Sequence, residues 1–289
     1  MNHAPASPSS ARLATVLMLA VVIVWGWTFV LVKDATASYG TVPFLAVRFC
    51  LAALCLLPWY VRRPVRSTLR VGFCIGLVLG ASFLLQTLGL ERTTASSAGL
   101  ITGLFVVFAP LAGFALFRAR TAGVLWIAIA LSLAGLTLLT GATPAGLGRG
   151  ELLLLGCAAG FGLHVALLDR HSRGHDTMVL AFGQMCGAAA SLSLLWVVRG
   201  PVRPPPSNTW FALVVTGVLA SAAAYVIQSF AQRHLNSAQT SVLMLLETLA
   251  AVAFGILLHG DQLTAIQFTG AGLMLAAAWV VSRRAGSAG

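Results

Sequence analysis

Charged side chains are scarce in this sequence. Only 9% of its 289 residues are Asp, Glu, Lys or Arg, and only seven of those are acidic. Soluble globular domains carry charge on about a quarter of their residues, so this composition excludes a water-soluble globular protein. Hydrophobic residues make up 58% of the chain and the mean hydropathy is +0.92. These values indicate a protein whose solvent is lipid.

Motifs for catalysis and nucleotide binding are also missing. The sequence has no Gly-rich loop ending in Lys-Ser/Thr, no His-Glu-x-x-His and no Gly-x-Ser-x-Gly. Its five cysteines all fall in apolar runs, without the close spacing of a metal site. We therefore predict no catalytic residue, no metal, no cofactor and no ATP hydrolysis within the chain.

The formal net charge of +11 raises the possibility of nucleic-acid binding. A protein of that kind clusters its basic residues on one solvated face. Here the Arg and Lys residues lie between apolar runs instead. We expect no nucleic-acid partner and interpret the positive charge as belonging to loops at a membrane surface.

Long apolar runs dominate what the sequence does contain. A spanning helix needs about 20 mostly apolar residues, and short connections rich in Arg, Gly, Pro and Ser separate runs of about this length. The sequence predicts an all-α integral membrane protein with about ten transmembrane helices. The predicted segments are 13–32, 42–60, 70–90, 95–117, 122–140, 151–168, 178–198, 209–231, 238–258 and 264–282.

Basic residues also predict the orientation. Loops retained in the cytoplasm hold an excess of Lys and Arg. Placing the N-terminus in the cytoplasm puts most of these side chains on that side and leaves the C-terminus there too. The run 13–32 is too long for a typical signal peptide and its preceding region is weakly basic, so we expect a retained first helix. The predicted location is the inner (plasma) membrane, with multiple passes.

The ten segments divide into two sets of five. We predict a cytoplasmic tail at 1–12, a first repeat at 13–140, a linker at 141–150, a second repeat at 151–282 and a second cytoplasmic tail at 283–289. Since five is an odd number, a duplicated half would be inverted in the membrane. Weak matches support duplication: 25–27 aligns with 159–161, 44–48 with 180–184, and Gln86 with Gln228. In the fourth and ninth helices the alignment of the two halves has two possible registers, which place either Phe105 or Ala109 opposite Glu247.

Glu247 is the most informative residue, because it lies near the middle of the ninth apolar segment. A charged side chain there costs about 2.5 to 3.5 kcal/mol on insertion scales, so it should face a cavity or a partner. We hypothesise that it binds a substrate ammonium group or exchanges a proton during transport. The alternative is a protonated or hydrogen-bonded carboxyl that joins helices.

Four other polar residues lie within apolar segments. Arg48 is an anion clamp, a partner for Glu247, or a structural donor to neighbouring carbonyls, and the structural role is favoured. Gln86 and Gln228 either line a pathway or tie helices together. His164 either relays protons or bridges helices.

Two further residues have predicted structural roles. Pro110 lies deep in the fourth segment, where it removes a backbone donor and can kink the helix beside a cavity. Asp261 lies at a membrane boundary, where a carboxylate favours a helix start. We predict that Asp261 caps a helix.

An ordered set of motifs carries a family resemblance over 13–282. Its elements are Trp25-Gly26 with Lys33, then Arg48, then the run from 94–99 to Pro110, then Leu246-Glu247, 260–264 and 270–272. In this order they resemble the drug/metabolite transporter superfamily, in its ten-helix form with two EamA-type repeats. The chain departs from the pattern at Thr248, where the family usually has Pro, and at Asp261, where it often has Glu.

The resemblance implies secondary transport by alternating access, commonly export of amino acids or related metabolites across a bacterial inner membrane. Its partners would be a small solute and the bilayer, with a monomer or a homodimer both open. A lipid-modifying membrane enzyme and a non-transporting membrane subunit remain as alternatives, although the acidic residues are too dispersed for the first. Glu247 and Arg48 are the candidates for proton coupling or structural charge. The predicted substrate-binding residues are Glu247, Trp25, Thr28, Gln86, Thr102, His164, Tyr225 and Gln228.

Overall fold

The computed structural model describes residues 8–118, 124–140, 147–172, 174–235 and 237–285, and within these ranges the regular structure is helical. The first half contains α1 (Pro8–Tyr39), α2 (Thr41–Arg62), α3 (Arg66–Leu90), α4 (Ala95–Thr102), α5 (Phe105–Phe117) and α6 (Val124–Thr140). The second half contains α7 (Arg149–Ser172), α8 (Thr177–Arg199), a 3₁₀ turn (Ser207–Thr209), α9 (Trp210–Val214), a π-helix (Val215–Ala223), α10 (Ala224–His234), α11 (Ser237–His259) and α12 (Ala265–Ala285).

The apolar helices confirm the predicted fold class. Among the described residues, seven helical segments are long and apolar enough to cross a membrane, counting α4–α5 as one and Ser207–His234 as another. Three shorter apolar stretches lie in α6, α11 and α12. Large apolar side chains such as Trp126, Leu257 and Val198 are more than two-thirds exposed, as expected for a surface that faces lipid. The protein is therefore a multi-pass membrane protein with about ten spanning segments.

Helices from opposite halves form the main contacts. α3 packs against α7 and α8, α2 against α8, α1 against α11, and α6 against α12. Exchanging the two halves maps α2–α8 and α6–α12 onto themselves and the other contacts onto further observed ones: α1–α11 onto α7–α5, and α1–α10 onto α7–α3. This exchange is what an inverted repeat produces.

Two close approaches of helix backbones fix the register of the repeats. A Cβ atom added to Gly26 would lie 2.8 Å from the carbonyl carbon of Ala250. One added to Gly162 would lie 2.8 Å from the carbonyl carbon of Phe108. These are the α1–α11 and α7–α5 contacts, so Gly26 corresponds to Gly162 and Ala250 to Phe108. By the same spacing, Glu247 corresponds to Phe105.

The π-helix shifts the correspondence between α3 and the eighth segment by one residue. A Cβ at Gly76 would meet the backbone of Gln184, and one at Gly217 would lie 3.0 Å from the carbonyl oxygen of Arg48. Gly217, which lies near the start of the π-helix, is therefore the counterpart of Gly76. Beyond the π-helix, the counterparts are one residue further apart along the chain. A π-turn accommodates one extra residue without changing the direction of the helix.

The fourth segment is interrupted between α4 and α5, at Gly103 and Leu104. Short i to i−3 bonds follow the break, including one from the Val107 amide to the Leu104 carbonyl at 2.9 Å. Pro110 lies inside α5 about two turns later, where the helix continues. A kink at Pro110 itself stays a prediction.

We expect Gly76→Ala to destabilise the protein more than Gly272→Ala. The added methyl group at Gly76 would lie 2.8 Å from the carbonyl carbon of Gln184, so α3 and α8 would have to separate, at a cost of about 1 to 3 kcal/mol. At Gly272, no heavy atom of the described residues lies within 4 Å of the added Cβ. Thermal unfolding in detergent measures both. Equal midpoints would contradict the close α3–α8 contact.

Candidate functional site

A central cavity lies between the two halves. Spanning segments one to four, six, eight and nine contribute to it, so neither half encloses it alone. Its lining residues are Trp25, Thr28, Phe29, Val32, Arg48, Phe83, Gln86, Leu90, Thr102, Phe105, Phe161, His164, Val165, Tyr225, Gln228, Met244 and Glu247.

The structure brings the predicted polar and aromatic site residues together. Each residue predicted to bind substrate lines this cavity, and so does Arg48. Pro110 does not belong to the lining. Sequence reasoning did not select the apolar residues Val32, Leu90 and Met244. Helical spacing from Trp25 predicts Val32, whereas Met244 carries no signal that separates it from lipid-facing residues.

Most of the lining residues come in symmetry-related pairs. Trp25 corresponds to Phe161, which corrects the sequence alignment that placed it opposite Ala159. The cavity therefore lies on the pseudo-two-fold axis of the molecule, where binding sites of inverted-repeat transporters are expected. The pairs are Trp25 with Phe161, Thr28 with His164, Phe29 with Val165, Phe83 with Tyr225, Gln86 with Gln228, Thr102 with Met244 and Phe105 with Glu247.

Glu247 makes the cavity chemically asymmetric. It lies on α11, half-buried, and its counterpart Phe105 is apolar. No salt bridge to Glu247 is found among the described residues. Gln228, which also lines the cavity, is 1% exposed and its Oε1 accepts no hydrogen bond from the described part of the chain. Buried acceptors without donors favour a ligand that carries N–H groups.

Arg48 is held by neighbours other than Glu247. Its side chain is 2% exposed, and Nε donates a hydrogen bond to Ser221 Oγ at 2.9 Å. The guanidinium carbon lies 4.5 Å from the centre of the Phe83 ring and 5.3 Å from that of Phe49. These contacts provide cation–π stabilisation to a side chain that is almost fully buried. They support the structural role favoured for Arg48.

The π-helix supplies partners for two cavity residues. Ser221 accepts the bond from Arg48, and the Ala220 carbonyl accepts one from Trp25 Nε1 at 2.8 Å. A π-turn frees carbonyl groups that an α-helix would use internally. The extra residue in the eighth segment therefore orients Trp25 and Arg48 toward the cavity.

Aromatic rings form a continuous wall of the cavity. The centre of the Tyr225 ring lies 5.7 Å from that of Trp25 and 6.5 Å from that of Phe83, and the Phe83 ring lies 5.0 Å from Phe161. Most of these rings meet edge to face, the arrangement favoured by their quadrupoles. The wall offers an apolar surface beside the polar lining residues Arg48 and His164.

His164 bridges two helices of the second half. Its Nε2 lies 2.8 Å from Oε1 of Gln184, and the side chain is 1% exposed. The ring also meets Tyr225 edge to face, with 5.7 Å between the ring centres. This geometry supports the bridging alternative for His164.

Asp261 caps a helix, but not the one that follows it. Its Oδ2 accepts a hydrogen bond from the Ser96 amide at 2.8 Å, at the start of α4 in the other half. The start of α12 has its own capping box, in which Thr264 and Gln267 bond reciprocally. Asp261 therefore joins the two halves.

The two halves match a known transporter family separately. Residues 12–141 and 148–283 each match the model of the EamA-like transporter family. The chain belongs to the EamA-like transporter family. An uncharacterized transporter of Archaeoglobus fulgidus is 32% identical over 280 residues, which cover 94% of this chain and 87% of that relative. The assignment confirms the resemblance to the drug/metabolite transporter superfamily.

A solved crystal structure supports the fold of this EamA-like transporter. The two superpose with a TM-score of 0.66 at 20% sequence identity, covering 96% of this chain and 99% of the other. The protein is thus a membrane transporter that acts on small solutes within a lipid bilayer. The central cavity is its candidate solute site.

We expect His164→Gln to retain solute transport and His164→Leu to lose stability. Gln can replace the bond to Gln184, whereas Leu leaves the buried Oε1 of Gln184 without its bond from position 164, at a cost of about 0.6 to 1.7 kcal/mol. Thermal unfolding measures the stability of each variant, and solute flux in proteoliposomes measures its transport. Loss of transport in a stable His164→Gln protein would instead support a proton relay.

Proposed function

We propose that this EamA-like transporter exports small amine-bearing metabolites, such as amino acids or related compounds, across the bacterial inner membrane. Glu247 binds the substrate ammonium group or the coupled proton. The observation that carries the proposal is a half-buried carboxylate lining the central cavity with no salt bridge among the described residues. A charge at this depth requires a partner, and a substrate cation or a proton meets that requirement.

The rest of the cavity supports this substrate class. The free Oε1 of Gln228 provides a second acceptor for an ammonium group. The aromatic wall around Tyr225 accommodates an apolar substituent and attracts a cation to its ring faces. Arg48 adds a positive charge at the cavity surface, which suits a substrate carboxylate.

The exchange symmetry of the helix contacts supports alternating access. Inverted repeats permit two related conformations, one open to each side, as each half adopts the arrangement of the other. The cavity on the pseudo-two-fold axis would be reached from both sides in turn.

We further propose repeats at 13–140 and 151–282 joined by 141–150, with tails 1–12 and 283–289 in the cytoplasm. The exposed residues Arg62, Arg63 and Arg66 lie at that end of the bundle, and cytoplasmic loops hold an excess of basic residues.

We expect Glu247→Gln to reduce gradient-driven flux at least about tenfold, equivalent to about 1.4 kcal/mol. The substitution keeps the size of the side chain and removes its ability to carry charge. Flux of labelled amino acids and amines in proteoliposomes, with and without an imposed pH gradient, measures the effect. Glu151→Gln, outside the cavity, is the matched control.

The wild-type transporter should move at least one amine-bearing solute saturably. Equal flux by wild type and Glu247→Gln at several pH values would overturn the role of Glu247. Flux restricted to anionic or neutral solutes would overturn the substrate class. Absence of flux across the whole panel would remove support for export of these compounds.

A further inference from the structure

The two ends of the helix bundle carry symmetry-related contacts. We name them the α3–α4 end, where α3 ends and α4 begins, and the α7–α8 end, where α7 ends and α8 begins. At the α3–α4 end, the Thr41 hydroxyl donates a hydrogen bond to the Glu91 carboxylate. At the α7–α8 end, Arg233 donates one to the Thr177 hydroxyl at 3.0 Å. By the register of the halves, Thr177 corresponds to Thr41 and Arg233 to Glu91.

A second pair of contacts follows the same rule. At the α3–α4 end, His259 Nε2 lies 3.0 Å from Asp34 Oδ1, joining α11 to α1. At the α7–α8 end, the Arg170 guanidinium lies 6.0 Å from the centre of the Phe117 ring, joining α7 to α5. Arg170 corresponds to Asp34, and Phe117 corresponds to His259. Both contacts therefore join the helix pairs that the repeat symmetry exchanges.

The paired contacts differ in charge. An acidic residue at the α3–α4 end, Glu91 or Asp34, corresponds to an arginine at the α7–α8 end. The two ends are thus held by symmetry-related helices at corresponding positions but by different chemistry. Two ends with different chemistry need not open equally often.

The cavity comes closer to the α3–α4 end. Val32 and Leu90 line the cavity and immediately precede Lys33–Asp34 and Glu91 in the chain. Their counterparts Leu168 and Gln232 are buried and do not belong to the lining. Lys33 Nζ also donates to the Thr93 carbonyl at 2.5 Å, which adds a link between α1 and the start of α4. The residues that make the contacts at this end, Asp34 and Glu91, therefore follow lining residues of the cavity by only two residues and one residue in the chain.

We infer that these four contacts form two gates of the cavity, one at each end of the bundle. The acidic residues Asp34 and Glu91 at one end and the arginines Arg170 and Arg233 at the other differ in chemistry. This difference sets how often each end opens. The inference rests on the proposed alternating access, but it does not depend on the substrate. Opening the α3–α4 end moves α1 from α11 and the end of α3 from the start of α2, which breaks the contacts of Asp34 and Glu91. Opening the α7–α8 end moves α7 from α5 and α10 from the start of α8, which breaks those of Arg170 and Arg233.

The contact between Asp34 and His259 is suited to gating because it lies at the surface. Asp34 is 63% exposed and His259 29% exposed at their side chains, so breaking this pair uncovers little apolar area. An exposed pair changes a population by up to about fivefold, which shifts a conformational balance without unfolding the protein.

Symmetry-related substitutions provide the test. Hydrogen–deuterium exchange of the purified full-length transporter in nanodiscs is compared for wild type, Glu91→Ala and Arg233→Ala. Glu91→Ala should raise exchange in peptides at the α3–α4 end and lower it at the α7–α8 end, with a population change of up to about fivefold. Arg233→Ala should do the reverse. Glu151→Ala, outside all four contacts, should leave both ends unchanged.

The sign of the change at the distant end decides the outcome. If the contacts had only a structural role, exchange would rise only around the substituted residue, and that result would overturn the inference. Increases at both ends would also overturn it. If either alanine variant fails to fold, Thr41→Val and Thr177→Val break the same two contacts and replace it. No substrate is added, so a failure of the proposed export leaves this result interpretable.

Discussion

Helix backbones from the two halves touch directly, and the packing of this protein depends on that contact. Lipid provides no hydrophobic drive between helices, so association relies on close packing at small residues. A Cβ at Gly72 would lie 3.0 Å from the Cα of Gly183, and one at Gly187 would lie 3.0 Å from the Cα of Gly76. Because these contacts join α3 to α8, each half packs mainly against the other. The cavity exists only where both halves are present.

The pseudo-symmetry of the scaffold contrasts with the asymmetry of its chemistry. Exchange of the halves preserves helix contacts and cavity positions, yet it places Phe105 where the other half has Glu247. The π-helix is a second asymmetry, because α3 has no extra residue and offers no freed carbonyl at the corresponding position. Its partners Trp25 and Arg48 belong to the first half. The second half thus determines how polar groups of the first half are oriented.

The spanning segments and the polar cavity residues were predictable, because lipid penalises charge and long polar runs within a span. The ends of the helices were less so: the first segment was predicted at 13–32, and α1 covers Pro8–Tyr39. The alignment of Trp25 with Ala159 was wrong because it matched side-chain types, whereas packing aligns Gly26 with Gly162. The bond from Ser96 to Asp261 joins residues far apart in sequence, and no local pattern indicates it.

Glu247 has no acidic counterpart in the first half, and this asymmetry affects how ligand binding is coupled to the conformational change. A ligand shifts a conformational equilibrium only if it binds the two conformations with different affinity. Glu247 lies on α11, which packs against α1 and α4, whereas Phe105 lies on α5, which packs against α7. When the halves exchange arrangements, the surroundings of Glu247 become those that Phe105 had before. On the proposed mechanism, the affinity for a cation or a proton then differs between the two openings, and binding can drive the change between them.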